Sequence, residues 1–222
     1  MRKKDIETKT IFAMVCILFT FFLLVPMWMI LQKSFVGKEG ISLAFYQNIL
    51  LRDNFIQILK NSFGISFLSA LLTTILAFIL SYSIHFTNIP KAIKGIIRGL
   101  AVLPMLLPTI TYGFAIIYSF GRQGLLTKVF GRQLFDIYGV NGLMLGYVIY
   151  TLPVAFMLIN NTMQYIDKKY LIVSKVMGDK PLRSFVQTIL RPLSGTLAAS
   201  VIQCFFLSFT DFGIPASVGG RV

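Results

Sequence analysis

Residues 61–90 read NSFGISFLSALLTTILAFILSYSIHFTNIP, and among them His85 is the only Asp, Glu, Lys, Arg or His. A helix rises 1.5 Å per residue, so about 20 apolar residues cross the roughly 30 Å hydrocarbon core of a bilayer. The pattern repeats along the chain. No Asp, Glu, Lys, Arg or His lies between Lys9 and Lys33, Arg98 and Arg122, Asp136 and Asp167, or Arg191 and Asp211. Five such stretches of 19 to 30 residues leave no amphipathic helices to clothe a soluble core, whose helices run nearer 10–14 residues. Composition agrees. Of 222 residues 56% are hydrophobic and 13% charged, against about 25% charged in a soluble domain. The expected fold is all-α, a polytopic transmembrane helix bundle with spans near 10–31, 62–86, 99–120, 142–161 and 193–209.

A formal net charge of +13 suggests nucleic acid at first sight. No basic patch interleaved with aromatics supports that reading, and membrane topology accounts for the charge. Residues 1–10, 87–98 and 163–192 hold 13 of the 21 Lys and Arg. These segments alternate with the other connections, which places the N-terminus and 163–192 on the cytoplasmic side of a multi-pass membrane protein. Arg2, Lys3 and Lys4 precede an apolar run too long for a signal peptide, with no small-residue cleavage site after it, so it reads as a retained span. Cys16 and Cys204 fall inside apolar stretches and suggest neither a disulfide framework nor a metal site.

The connections carry further expectations. Within the external segment 33–60, Phe45, Ile49, Ile56 and Leu59 recur at roughly helical spacing, as in a helix on the membrane surface or in turns packed on neighbouring spans. Asn61 or Ser62 is a candidate N-cap for the second span. Residues 87–98 read as a short basic inner loop. Pro104 and Pro108, one turn apart, predict a kink in the third span, since each frees backbone carbonyls that need new partners. In the fifth span Gly195, Ala199, Gln203, Phe206 and Thr210 share a face. Small and polar residues on one stripe suit other helices or an aqueous path rather than lipid, which makes Gln203 and Thr210 candidate pathway-lining residues. After that span, the glycine-rich end of the chain reads as an external loop with nothing to anchor it.

Several chemistries find no residues. A single His excludes His-pair metal sites, no two acids share a span, and no phosphate-binding glycine loop is present. The predicted catalytic and metal residues are therefore none, and no cofactor is expected. Ion-driven transporters need buried relay groups, whereas His85 and Asp211 lie near span ends. An ion-driven transporter or channel, and an integral membrane enzyme, are the competing functional classes.

Residues 163–192 are the most informative connection. Residues 167–177 are compatible with a helix, Gly178 with the left-handed residue that ends it, Asp179 or Lys180 with a cap, and Pro181 with the first turn of a second helix. Leu182, Phe185, Ile189 and Leu190 then form an apolar face. A basic helix-turn-helix projecting from the bundle suits the socket of a soluble partner; a solvated inner loop is the plainer reading.

Here the chain resembles the type I permeases of ABC importers, whose cytoplasmic coupling loop carries Glu-Ala-Ala, three residues and Gly, then a Leu-Pro further on. Gly178 takes the glycine position, Phe185 matches a common aromatic and Leu190 matches the leucine. Ile172-Val173-Ser174 stand in place of Glu-Ala-Ala, Arg191 replaces the proline, and Pro192 comes one residue late. Asn61-Ser62-Phe63, Leu103-Pro104-Met105-Leu106-Leu107-Pro108, Phe120-Gly121-Arg122-Gln123-Gly124-Leu125 and Asp211-Phe212-Gly213-Ile214-Pro215 extend the likeness over 61–222. The last run is most similar to the ferric-iron and 2-aminoethylphosphonate permeases.

The resemblance implies a prokaryotic cytoplasmic-membrane permease subunit that is not itself an enzyme. It implies two ATP-binding cassette ATPase subunits, a second permease half (an identical, different or fused copy) and an external solute-binding protein. It divides the chain into 1–60, with the tail, first span and external segment, and a permease domain at 61–222. It also implies a sixth span beyond a truncated end. Contact with the ATPase then falls to Ile172, Val173, Ser174, Lys175, Met177, Gly178, Asp179, Arg183 and Phe185.

Overall fold

The computed structural model describes residues 2–37 and 40–219. They fall into two units, 1–57 and 58–222. In the first, α1 (Arg2–Phe19) runs through a π-helical turn (Thr20–Leu24) into α2 (Val25–Phe35). The wider turn directly precedes Pro26, whose ring cannot follow an ordinary helical carbonyl. A two-stranded antiparallel hairpin follows, β1 (Val36–Gly37) with β2 (Gly40–Ile41), pairing Val36 with Ile41. Ser42 caps α3 (Ala44–Leu50) by accepting the Ala44 N–H at 3.1 Å. Of the predicted surface helix, Phe45 and Ile49 lie on α3, while Ile56 and Leu59 belong to the next helix.

That helix, α4 (Phe55–Phe86), begins two turns before the expected N-cap. Asn61 and Ser62 are internal to it, because the run 55–60 contains no Gly or Pro to stop a helix. Its faces are inverted relative to a soluble helix. Ser66, Ser69, Ala70, Thr73, Thr74, Ala77 and Ser81 are buried, while Phe63, Leu68, Ile75 and Ile79 are exposed. Small residues let backbones approach closely where lipid already solvates the large apolar side chains.

The basic segment expected as a loop is largely helical: α5 (Lys91–Val102) starts directly after Pro90. A 3₁₀ turn (Leu103–Leu106) then leads to a break, and α6 (Thr109–Phe120) departs at 113°. The residues predicted as one kinked third span are thus two helices that meet at a sharp break. Leu107, which precedes Pro108, is extended at φ −110°, ψ 142°, as the steric demand of a following proline requires. The Pro104 carbonyl accepts the Leu107 N–H, and the Tyr112 hydroxyl reaches both that carbonyl and the Leu107 carbonyl, which the break leaves without a backbone donor.

After α7 (Leu125–Phe130), α8 (Val140–Met163) crosses the bundle with Pro153 inside it. Then come α9 (Lys169–Val176), α10 (Pro181–Phe185), a π-helical turn (Val186–Leu190), α11 (Arg191–Phe209) and α12 (Gly213–Val218). The helix from Pro181 to Phe209 is continuous, so the helix that carries the fifth span starts three turns before the predicted Leu193. Among the described residues four helices are long and apolar enough to cross a membrane, or five if the bent pair makes one span. Residues 213–218 are anchored, contrary to expectation. In α12 Ile214 and Val218 are fully buried against α6 and α8; residues 220–222 lie outside the described residues.

Two apolar clusters fill the second unit. One joins Ala77, Ile84, Ala101, Phe156, Ile159, Met163, Leu193 and Cys204. The other joins Tyr112, Ile116, Leu143, Tyr147, Ile214 and Val218. Between α4, α8 and α11 run buried hydroxyls: Thr74 Oγ1 and Ser200 Oγ are 3.2 Å apart, Thr73 Oγ1 and Thr151 Oγ1 3.0 Å. Thr151 also reaches the Tyr147 carbonyl at 2.8 Å.

Candidate functional site

The turn between α9 and α10 is closed by a full set of backbone bonds. Gly178 is left-handed at φ +79°, a conformation that costs other residues about 1–2 kcal/mol. Its N–H donates to the Lys175 carbonyl at 3.1 Å, and the Asp179 N–H donates to the Ser174 carbonyl at 3.1 Å. These are the paired bonds of a Schellman ending, which satisfy carbonyls the helix leaves open. Ser174 Oγ donates to Asp179 Oδ2 at 2.8 Å, and Arg183 Nε stands 3.6 Å from Asp179 Oδ1. Asp179 therefore braces both helices from one carboxylate. Lys180 holds the cap position without a side-chain bond, and Pro181 opens α10, where its missing N–H is no loss.

The predicted residues divide by direction. Ser174 is buried and Phe185 half-buried; the Phe185 ring meets Tyr82 edge-on at 5.8 Å and Phe78 at 6.1 Å. Phe185 thereby pins the turn to α4. Ile172, Val173, Lys175, Met177 and Arg183 point away from the bundle, Met177 with 78% of its surface exposed. Val176, exposed at 82%, and Leu182 extend this apolar face. Neither was among the predicted contact residues. The signal that marks them is an apolar side chain at the tip of a basic connection outside the spans. A groove of about 360 Å³ lies beneath the tip, lined by Tyr82, Leu171, Lys175, Asp179, Ser184 and Ile189.

Gln203 and Thr210 share an exposed face of α11 with Gly195, Ala199 and Phe206, while Leu193, Ser200, Cys204 and Ser208 form its buried face. Thr210 Oγ1 donates to the Phe206 carbonyl at 2.7 Å. The stripe is therefore a separate surface from the α9–α10 turn. Among the described residues no three His, Cys, Asp or Glu side chains gather as a metal site.

An inverted helix bundle bearing a rigid, apolar-tipped turn defines a polytopic membrane protein built to engage something outside its own chain. A family model described as binding-protein-dependent transport system inner membrane component matches residues 74–222, and the chain belongs to that family. A Haemophilus influenzae protein whose name describes a ferric transport system permease is 24% identical over 215 residues. The match takes in 94% of this chain but 34% of that protein, so the chain spans about a third of the relative's length. A Salmonella typhi protein named for 2-aminoethylphosphonate transport is 25% identical over 204 residues, with 88% of this chain and 70% of that one covered. Among solved structures, a bacterial alginate ABC transporter in complex with an alginate-bound periplasmic protein superposes with a TM-score of 0.68. That likeness, at 16% identity, takes in 91% of this chain and 72% of the other.

Proposed function

We propose that this chain is the membrane-spanning permease subunit of an ATP-driven importer that carries a small solute across the cytoplasmic membrane of a prokaryote. Its N-terminus and the α9–α10 turn face the cytoplasm, in keeping with the alternation of basic segments. One observation carries the reading. The α9–α10 turn is rigid by its backbone bonds yet exposes Ile172, Val173, Val176, Met177 and Leu182 outside the spans. Exposed apolar surface beside Lys175 and Arg183 suits a protein partner, here a separate ATPase subunit that hydrolyses the ATP.

Closure of two such ATPases would press on the turn, and Phe185 against Phe78 and Tyr82 would pass the displacement to α4. That mechanism needs a peg whose contacts differ between inward- and outward-open states. A second permease half, identical or different, completes the pathway, and an external solute-binding protein delivers the solute. The named substrates of the relatives lean the choice of solute toward iron or a phosphonate.

The test is retention of the ATPase. The chain is co-expressed with a cognate ATP-binding cassette subunit and purified in mild detergent through a tag on this chain. The ATPase is expected to co-purify, and to be lost when residues 175–183 become a Gly/Ser linker. A monodisperse chain that never retains the ATPase and supports uptake driven by an ion gradient would replace this reading with an ion-driven carrier.

A further inference from the structure

One end of the second unit gathers cations that no acid neutralises. α4 closes on His85, whose Nε2 lies 2.9 Å from Asn160 Oδ1 on α8. Behind Pro90, the first two turns of α5 carry Lys91, Lys94 and Arg98 along one edge, at i, i+3 and i+7. Lys94 Nζ donates to the Thr87 carbonyl at 3.0 Å, which holds the amine over the α4–α5 turn. From the other side Lys168 Nζ stands 5.9 Å from the centre of the Phe86 ring. Lys94, Arg98 and Lys168 all lie near enough to the His85 imidazole to be felt there. Three elements thus bring their positive groups to one place.

Among the described residues the only ion pair is Arg183 with Asp179. Asp167, the acid beside Lys168 in sequence, turns a carboxylate oxygen to the Lys169 N–H at 2.9 Å. Like charges brought together repel, and an anion from outside the chain is the simplest relief. The opposite face of α5 says which kind. Ile93, Ile96 and Leu100 are exposed there, on the side away from Lys91, Lys94 and Arg98. A helix with a cationic edge and a bare apolar face sits at headgroup level in a bilayer, with its apolar residues against acyl chains. A soluble phosphate would satisfy the cations but leave that face uncovered.

We infer that this end of the bundle is a binding site for an anionic phospholipid. The headgroup phosphate accepts from Lys94, Arg98 and Lys168, and an acyl chain lies along Ile93, Ile96 and Leu100. The site depends on the chain's place in a membrane and not on the transport reading, so either stands if the other fails.

The full chain reconstituted in vesicles tests it. Trp28, the single tryptophan, is replaced (Trp28→Phe) and Leu100→Trp supplies a reporter on the apolar face of α5. Quenching is compared between phosphatidylglycerol and phosphatidylcholine with brominated acyl chains. Phosphatidylglycerol is expected to be preferred about fivefold or more, the gain of one cation at an anionic surface. The preference should vanish in Lys94→Gln/Arg98→Gln/Lys168→Gln and return in Lys94→Arg/Lys168→Arg. Equal quenching by the two lipids in the parent, or a preference that survives neutralisation, overturns the site. Loss of the preference on adding inorganic phosphate assigns the cations to a soluble anion instead and also overturns it. Absence of quenching by either lipid means that protein covers α5, and the lipid site falls in that case too.

Discussion

Gly178 is the residue on which the α9–α10 turn depends, and its role follows from local geometry alone. At φ +79° a β-branched side chain meets its own backbone, at a cost of about 1–2 kcal/mol, while Asn visits this region with little strain. No atom lies within 4 Å of a Cβ added there, so size as such is not penalised. Gly178→Val is therefore expected to abolish ATP-dependent uptake while leaving the amount of chain in the membrane unchanged, and Gly178→Asn to retain most of it. Equal loss in both variants would mean that the left-handed backbone is not what the turn supplies. Because that conformation is a property of a few adjacent residues, it was readable from the spacing of Gly178 and Pro181. Gly146 was not. It is required because Ile214 Cγ2 would stand 2.6 Å from its Cβ, and nothing near Gly146 in sequence announces the approach of α12.

Prolines show the same division among helical elements. Five long apolar runs were enough to predict a bundle, since length against bilayer thickness is arithmetic. Where each helix bends was less legible, because the fate of a proline depends on what receives the carbonyls it orphans. Pro153 lies within a continuous α8, and Pro192 follows a π-helical turn inside a continuous helix. Pro104 and Pro108 together break the predicted third span, and the Tyr112 hydroxyl serves the Pro104 and Leu107 carbonyls. Without that hydroxyl the Leu107 carbonyl loses its donor, while the Pro104 carbonyl keeps the Leu107 N–H. Tyr112→Phe removes one oxygen and keeps the ring among Ile116, Leu143 and Tyr147. Thermal unfolding in detergent should then show a loss of about 0.5–1.5 kcal/mol, the net contribution of one hydrogen bond. An unchanged midpoint would show that the break is held by proline stereochemistry alone. The early start of α4 has a plainer lesson: a polar pair such as Asn61 and Ser62 marks a helix end only where the preceding residues cannot themselves be helical.

Across the whole molecule, the surface turned away from the core separates into faces of different chemistry, and this is where the proposed transport role has to be read. The outward face of α4 carries Leu68, Ile75 and Ile79, as lipid contact requires. The outward face of α11 instead carries Gly195, Ala199, Gln203, Phe206 and Thr210, with open space around Gly195. An amide facing hydrocarbon with no partner costs several kcal/mol, so this stripe is better satisfied by water or by another permease half. The grouping of the five residues on one helical face was legible from a 3.6-residue period. What covers them was not, because it belongs to no residue of this chain. A direct measurement separates water from lipid. In a background with Cys16→Ser, Gln203→Cys and Thr210→Cys are treated with a membrane-impermeant thiol reagent in intact vesicles, alongside Ile75→Cys as the lipid-facing control. A thiolate forms only where water reaches the sulfur, so a wetted pathway makes both α11 positions react at least about tenfold faster than the control, a gap of about 1.4 kcal/mol in activation free energy. Under the proposed importer role, ATP together with the partner subunits should then change the rate at Gln203, because a stripe lining an alternating pathway would meet water on one side at a time. Reactivity no greater than at Ile75 would place Gln203 and Thr210 against lipid or a tightly packed partner helix, and the pathway would have to be sought on another face.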